Sequence, residues 1–226
     1  MNQSLWSLVD DYFCHTFIQS NSALSKALQD SNAADLPQHH VTPTQGKFLH
    51  LLVQIQGARR ILEIGTLGGY STIWLAQALP TDGYLVTLEA SAHHAEVARK
   101  NLARANLMDN VDLRVGNALD ILPDLQSAAP FDFIFIDADK PNNPHYLEWA
   151  LRLSHPGTVI IGDNVVREGE VTNAQSADPK VQGVRTFCEL LAANPQVSAT
   201  AIQTVGSKGY DGFAIARVIS ESSSSP

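Results

Sequence analysis

Asp137, Asp163 and Asn164 are oxygen donors placed where chemistry can happen. Asp137 ends the apolar run 131–137, and Asp163-Asn164 follows the apolar run 157–163. Runs of that length and composition read as buried strands, so the donors fall at two strand ends. Two carboxylates and a carboxamide suit a hard cation such as Mg²⁺, Mn²⁺ or Ca²⁺. The thiolates and imidazoles that favour zinc are missing from the set. A turn-forming Asp163-Asn164 is the plain alternative. Lys140 closes the short segment Asp137-Ala138-Asp139-Lys140. An ammonium beside a divalent cation gives up its proton more readily, so Lys140 is a candidate general base, with a surface lysine as the alternative. Asp139 could pair with Lys140, face a ligand or contact a substrate.

A second constellation lies upstream, in Leu62-Glu63-Ile64-Gly65-Thr66-Leu67-Gly68-Gly69-Tyr70-Ser71. The apolar run before it and the amphipathic pattern after it make a strand–turn–helix unit of a nucleotide-type α/β fold. Gly65, Gly68 and Gly69 permit close backbone approach to a ligand around Thr66. No Gly-Lys-Ser/Thr follows, so this is not a phosphate loop. Glu63 would repel a pyrophosphate and suit a cationic ligand, which points to S-adenosylmethionine. Tyr70 and Ser71 open the next helix, whose free N–H groups can hold a carboxylate. Glu89 ends the following strand, where a carboxylate can accept both hydroxyls of a ribose. Asn117-Ala118, after the third strand, is placed to border an adenine.

These residues need a parallel sheet to bring them together. Strands are expected at 60–64, 84–89, 111–115, 131–137, 157–163, 197–205 and 209–218. Helices are expected at about 70–79, 92–106, 145–153 and 181–193, with a short one after Ala118. The last two strands lack a long helix between them and should form an antiparallel hairpin at one edge. In such a sheet, ligands bind beyond the carboxyl ends of the strands, near the topological switch point. Before the alternation come helices at 4–20, 22–35 and 46–55, with Ser4 and Ser22 as candidate N-caps. The two prolines of 36–46 mark a loop. This 1–57 helical cap could cover the site or build a dimer contact. The expected whole is one α/β domain spanning 1–226, with a polar tail at 220–226.

Composition narrows the partners. The 226 residues are 44% hydrophobic and 17% charged, with a formal net charge of −8. That is a globular balance with an acidic surface, which disfavours a broad nucleic-acid footprint. Cys14 and Cys188 form no metal or disulfide pattern and read as buried free thiols. His39-His40 and His93-His94 have no third ligand at a familiar spacing. No apolar run is long enough to span a membrane and no secretory leader pattern is present, so the expected location is cytoplasmic.

Three segments in order resemble the cation-dependent O-methyltransferases, of the catechol and caffeoyl-CoA type in its bacterial branch. They are 62–71, Ile136-Asp137-Ala138-Asp139-Lys140 and Gly162-Asp163-Asn164-Val165. Ser207-Lys208-Gly209-Tyr210-Asp211-Gly212-Phe213 is similar to that family's last strand, and the resemblance spans about residues 36–218. It implies a Rossmann-like seven-stranded sheet with the last strand antiparallel, helices on both faces, and usually a homodimer. It implies that Asp137, Asp163 and Asn164 hold the metal and that Lys140 is the base. Glu63, Gly65, Tyr70, Ser71 and Glu89 would bind S-adenosylmethionine, with Val41 reaching it from the N-terminal loop. The substrate would be a phenolic small molecule with adjacent hydroxyls, met by walls that include Asp139, Arg167 and Tyr210. Animal catechol enzymes carry an aromatic residue where Asp139 stands, so a catecholamine is not implied. Rival readings are methylation of a hydroxylated tRNA base, a nicotinamide-dependent oxidoreductase, and a cofactor-binding module without catalysis.

Overall fold

The computed structural model describes residues 2–219, and the expected polar tail at 220–226 lies outside them. Three helices come first: α1 (Gln3–Phe17), α2 (Ser22–Ala33) and α3 (Pro43–Gln56). Their caps sit earlier than Ser4 and Ser22. Asn2 accepts from Leu5 N, and Asn21 from Ala23 N and Leu24 N, because an asparagine oxygen one or two residues upstream meets the free N–H groups first. Thr42 caps α3 with Pro43 in its first turn, and Gly57 ends it in the left-handed region.

The alternation then runs β1 (Arg60–Ile64), α4 (Tyr70–Ala76), β2 (Tyr84–Glu89), α5 (Ala92–Arg104), β3 (Val111–Val115) and α6 (Ala118–Ile121). It continues with β4 (Phe131–Ile136), α7 (Asn143–Arg152), β5 (Ser154–Asp163), α8 (Pro179–Ala193), β6 (Val197–Gly206) and β7 (Gly209–Val218). The sheet has seven strands in the order β3-β2-β1-β4-β5-β7-β6. β1 to β5 pair in parallel, and β7 runs antiparallel to both β5 and β6. The hairpin is therefore at the edge as expected, but folded back so that β7 takes the inner place and β6 the outer one. The chain reverses its direction of travel between β1 and β4, which makes the end of these strands the switch point.

Period-two alternation splits the core into two layers. Leu62, Ile64, Ile134, Ile136 and Ile160 pack towards α7 and α8 with Phe187 and Tyr146. Ile61, Phe133, Phe135 and Ile161 pack the other way, against Leu49, Val53, Ile73 and Leu102. Glu63 shares this second face and is fully buried. Cys14 and Cys188 are free and only half-buried. Among the described residues no helix is long and apolar enough to cross a membrane.

Candidate active site

One large cavity, about 1610 Å³, opens beyond the carboxyl ends of the strands. Val41, Gly65, Thr66, Gly68, Tyr70, Ser71, Glu89, Asn117 and Ala118 line one part of it. Asp137, Asp139, Lys140, Asp163, Asn164, Arg167 and Tyr210 line the rest. Parallel pairing of β1 with β2 and β4, and of β4 with β5, brings the strand-end residues of both groups to the same rim.

Glu63 is the exception, because its strand position turns it inward. Its carboxylate accepts from Ser71 Oγ at 2.6 Å, Thr72 Oγ1 at 2.5 Å and Thr87 Oγ1 at 2.7 Å. Burial pushes this carboxyl up to about 7 against the pull of the three hydroxyls, and the charge of Asp137 adds to the rise. Glu63, expected to bind the cofactor, is thus engaged by three hydroxyls in this structure. Glu63 lies beneath the wall and acts on it by orienting Ser71, which does face the cavity.

The glycine turn is built for close approach. Gly65 has φ 105°, and a Cβ there would stand 2.1 Å from the backbone oxygen of Asp137. A side chain would force β1 and β4 apart at the switch point. Glu89 accepts from Leu67 N at 2.7 Å and Ser91 N at 2.9 Å, so it ties the turn to the end of β2 while remaining on the cavity wall. Asn117 caps α6 through Leu119 N.

On the other side, Lys140 is buried and its Nζ stands 2.9 Å from Asp137 Oδ1. Asp163 accepts from Gln45 Nε2 at 2.8 Å and from Asn164 N at 2.9 Å. Burial and the charge of Asp137 push the Asp163 carboxyl up to about 7. Asp139 turns away from Lys140 and accepts from Tyr146 OH at 2.5 Å and Asn142 Nδ2 at 2.6 Å. Among the described residues no three His, Cys, Asp or Glu side chains group as a metal site, and Asn164 lines the cavity along with Asp137 and Asp163.

A roof covers the cavity from the N-terminal cap. His40 stands edge-on to Tyr70 at 5.7 Å between ring centroids, and burial holds its imidazole down to about 4. Lys208, at the tip of the β6–β7 hairpin, donates to the backbone oxygens of Gln38 and His40. Sequence reasoning missed Gln45, Thr87, Tyr146 and Lys208. Only Thr87 left a signal, as a hydroxyl inside an otherwise apolar strand in register with Glu63.

The O-methyltransferase family model matches residues 17–219. The chain belongs to the O-methyltransferase family. Other members show how close the likeness is. A catechol O-methyltransferase of Niastella koreensis is 51% identical, over 96% of this chain and 100% of that one. One of Mycobacterium tuberculosis is 51% identical over 93% and 94% of the two chains. The crystal structure of an O-methyltransferase from Bacillus cereus in complex with SAH superposes with a TM-score of 0.94 at 64% identity, covering 96% of this chain and 99% of that one. The O-methyltransferase fold and the cavity at its switch point thus coincide in one chain.

Proposed function

We propose that this O-methyltransferase uses S-adenosylmethionine and a divalent cation to methylate one hydroxyl of a catechol-like small molecule. One observation carries the reading: the Asp137–Lys140 pair and Asp163-Asn164 share a cavity wall with the glycine turn. The relatives named catechol O-methyltransferase and the Bacillus cereus protein bound to SAH support it.

The donor set fits a hard cation. Lys140 pairs with Asp137, and the Asp163 carboxyl is raised first by burial and then by the charge of Asp137. Asn164 adds a neutral oxygen on the same wall. A cation held by these three residues would act as a Lewis acid, lowering a phenol from its usual value of about 10 towards neutrality. S-adenosylmethionine would supply the methyl group, with an O–CH₃ bond forming as the S–CH₃ bond breaks.

This chain's residues supply the rest. With Asp137 engaged as a ligand, Lys140 Nζ can take the proton of the acceptor hydroxyl. Glu89 offers its remaining lone pairs to a ribose, and Ser71, fixed by Glu63, faces the methionine side. Val41, His40 and Tyr70 roof the cavity and keep water from the reacting atoms. Most of the rate enhancement is ascribed to positioning and preorganised charge.

The expected assembly is a homodimer. α1 buries none of its residues and leaves Leu8, Tyr12 and Phe17 well exposed. It packs on α3 and β6, which expose Ile55 and Ile202. A second copy of the chain is the partner that such a face fits.

The deciding experiment is transfer of labelled methyl from S-adenosylmethionine to catechol, with Mg²⁺ and with EDTA. Methylated product that EDTA abolishes is expected. Transfer indifferent to EDTA would remove the cation, and no transfer with cofactor still bound would remove the small catechol as acceptor.

A further inference from the structure

The segment after the Asp163-Asn164 pair is held in a costly shape. Asn164 (φ 55°), Arg167 (φ 53°) and Glu168 (φ 56°) all occupy the left-handed region, and Gly169 (φ 94°) follows. Side chains with a Cβ avoid that region, and such residues persist only where surrounding contacts over-determine them. The contact that does so here comes from the far end of the chain. Asp211 Oδ1 accepts from Val166 N at 2.9 Å, Arg167 N at 3.0 Å and its own neighbour Gly212 N at 2.9 Å. Val165 N donates in turn to Gly212 O at 3.0 Å. Gly212 has no room for a side chain, because a Cβ would stand 2.8 Å from Val166 Cγ2 and 2.2 Å from Ile202 O. Asp211 thus grips the segment, and Gly212 lets it lie close.

What is gripped is a wall of the cavity. Arg167, Glu168, Tyr210 and Asp211 all line it. Arg167 leans back towards Asp211, with Nη1 3.9 Å from Oδ2, and its buried Nε has no partner. Tyr210 Cε1 would touch a Cβ placed on Gly169, so the aromatic ring lies over the segment. One carboxylate therefore holds the backbone of the segment through Oδ1 and stands beside the Arg167 side chain through Oδ2, while Tyr210, its chain neighbour, donates its hydroxyl to Gln203.

We infer that Asp211 is a positioning residue that sets the acceptor wall, and through it which of two adjacent hydroxyls is methylated. This rests on the proposed methyl transfer to a diol. It assigns Asp211 no contact with the reacting atoms; the residue acts through Val166 and Arg167.

The test compares wild type with D211N and D211A, in the full chain. Four quantities are read: amide exchange at Val166 and Arg167, the Kd for S-adenosylmethionine, and the meta-to-para product ratio and KM with 3,4-dihydroxybenzoate. Exchange at the two amides should quicken in the order wild type, D211N, D211A, since asparagine keeps an acceptor oxygen without its charge. The acceptor KM should rise about tenfold in D211A, the scale of losing charge-assisted hydrogen bonds, and less in D211N. The product ratio should move in the same order while the cofactor Kd stays in place. A merely structural residue would weaken cofactor and acceptor binding together and leave the ratio alone, and that result overturns the inference. Unchanged exchange in D211A, or in D211N if D211A does not fold, overturns it as well. A wild-type chain that makes no methylated product refutes the proposed function, and the exchange comparison still decides whether Asp211 holds the segment.

Discussion

Replacing Glu63 with glutamine should change how stability depends on pH. The carboxyl is fully buried and raised from 4.5 to about 7. At about 1.4 kcal/mol per pH unit, that rise corresponds to about 3 kcal/mol. The sign follows from which state holds the proton. Between pH 4.5 and about 7 the unfolded chain has lost it while the native chain keeps it, so stability falls as pH rises through that window. Below the window both states are protonated, and above it both are ionised, so the contribution is flat on either side. In Glu63→Gln the neutral amide replaces a group that must otherwise be charged in the core at high pH. Thr87 and Thr72 can turn their hydroxyls to meet it. The assay is urea unfolding of both proteins at pH 4.5 and pH 8, where the stability difference between them should shift by about 3 kcal/mol in favour of the variant. In melting temperature that is about 6–12 °C for a domain of this size. Taking the difference between two proteins removes other titrating groups, Asp163 among them. A stability difference that is the same at both pH values would refute the buried-carboxylate account of Glu63.

Other outcomes are as definite. Lys140→Met should lower turnover about 10²–10⁴-fold, with the affinity for S-adenosylmethionine measured by calorimetry unchanged; full turnover would remove Lys140 as the base. Asp163→Ala should abolish Mn²⁺ binding by calorimetry as well as activity, and retention of both would dissolve the proposed cation site. Phe133→Ala should cost about 3–5 kcal/mol in urea unfolding, because the ring is fully buried in the core layer with Leu49, Val53 and Ile73. Leu8→Glu with Phe17→Glu should turn a dimer into a monomer by light scattering, and an unchanged mass would place the contact elsewhere.

Local pattern determined much of this protein. The apolar runs of β1, β4 and β5, the glycine turn after β1 and the acids at strand ends are all set by neighbours in sequence. The placement of Asp137, Lys140 and Asp163-Asn164 on one rim followed, because parallel strands must end on the same side. The tertiary structure alone decided which way each side chain faced. Glu63 and Glu89 both sit near the ends of apolar strands, yet Glu63, one residue before the end of β1, meets three hydroxyls in the core, and Glu89, the last residue of β2, lies on the cavity wall. Asp139 points to Tyr146 rather than to its neighbour Lys140 because α7 carries that hydroxyl back over the turn. The reach of Gln45 to Asp163, of Lys208 to the loop before α3 and of Asp211 to Val166 and Arg167 spans 118, 170 and 45 residues. Partners so distant leave no periodic trace, since each is fixed only by the packing of whole elements.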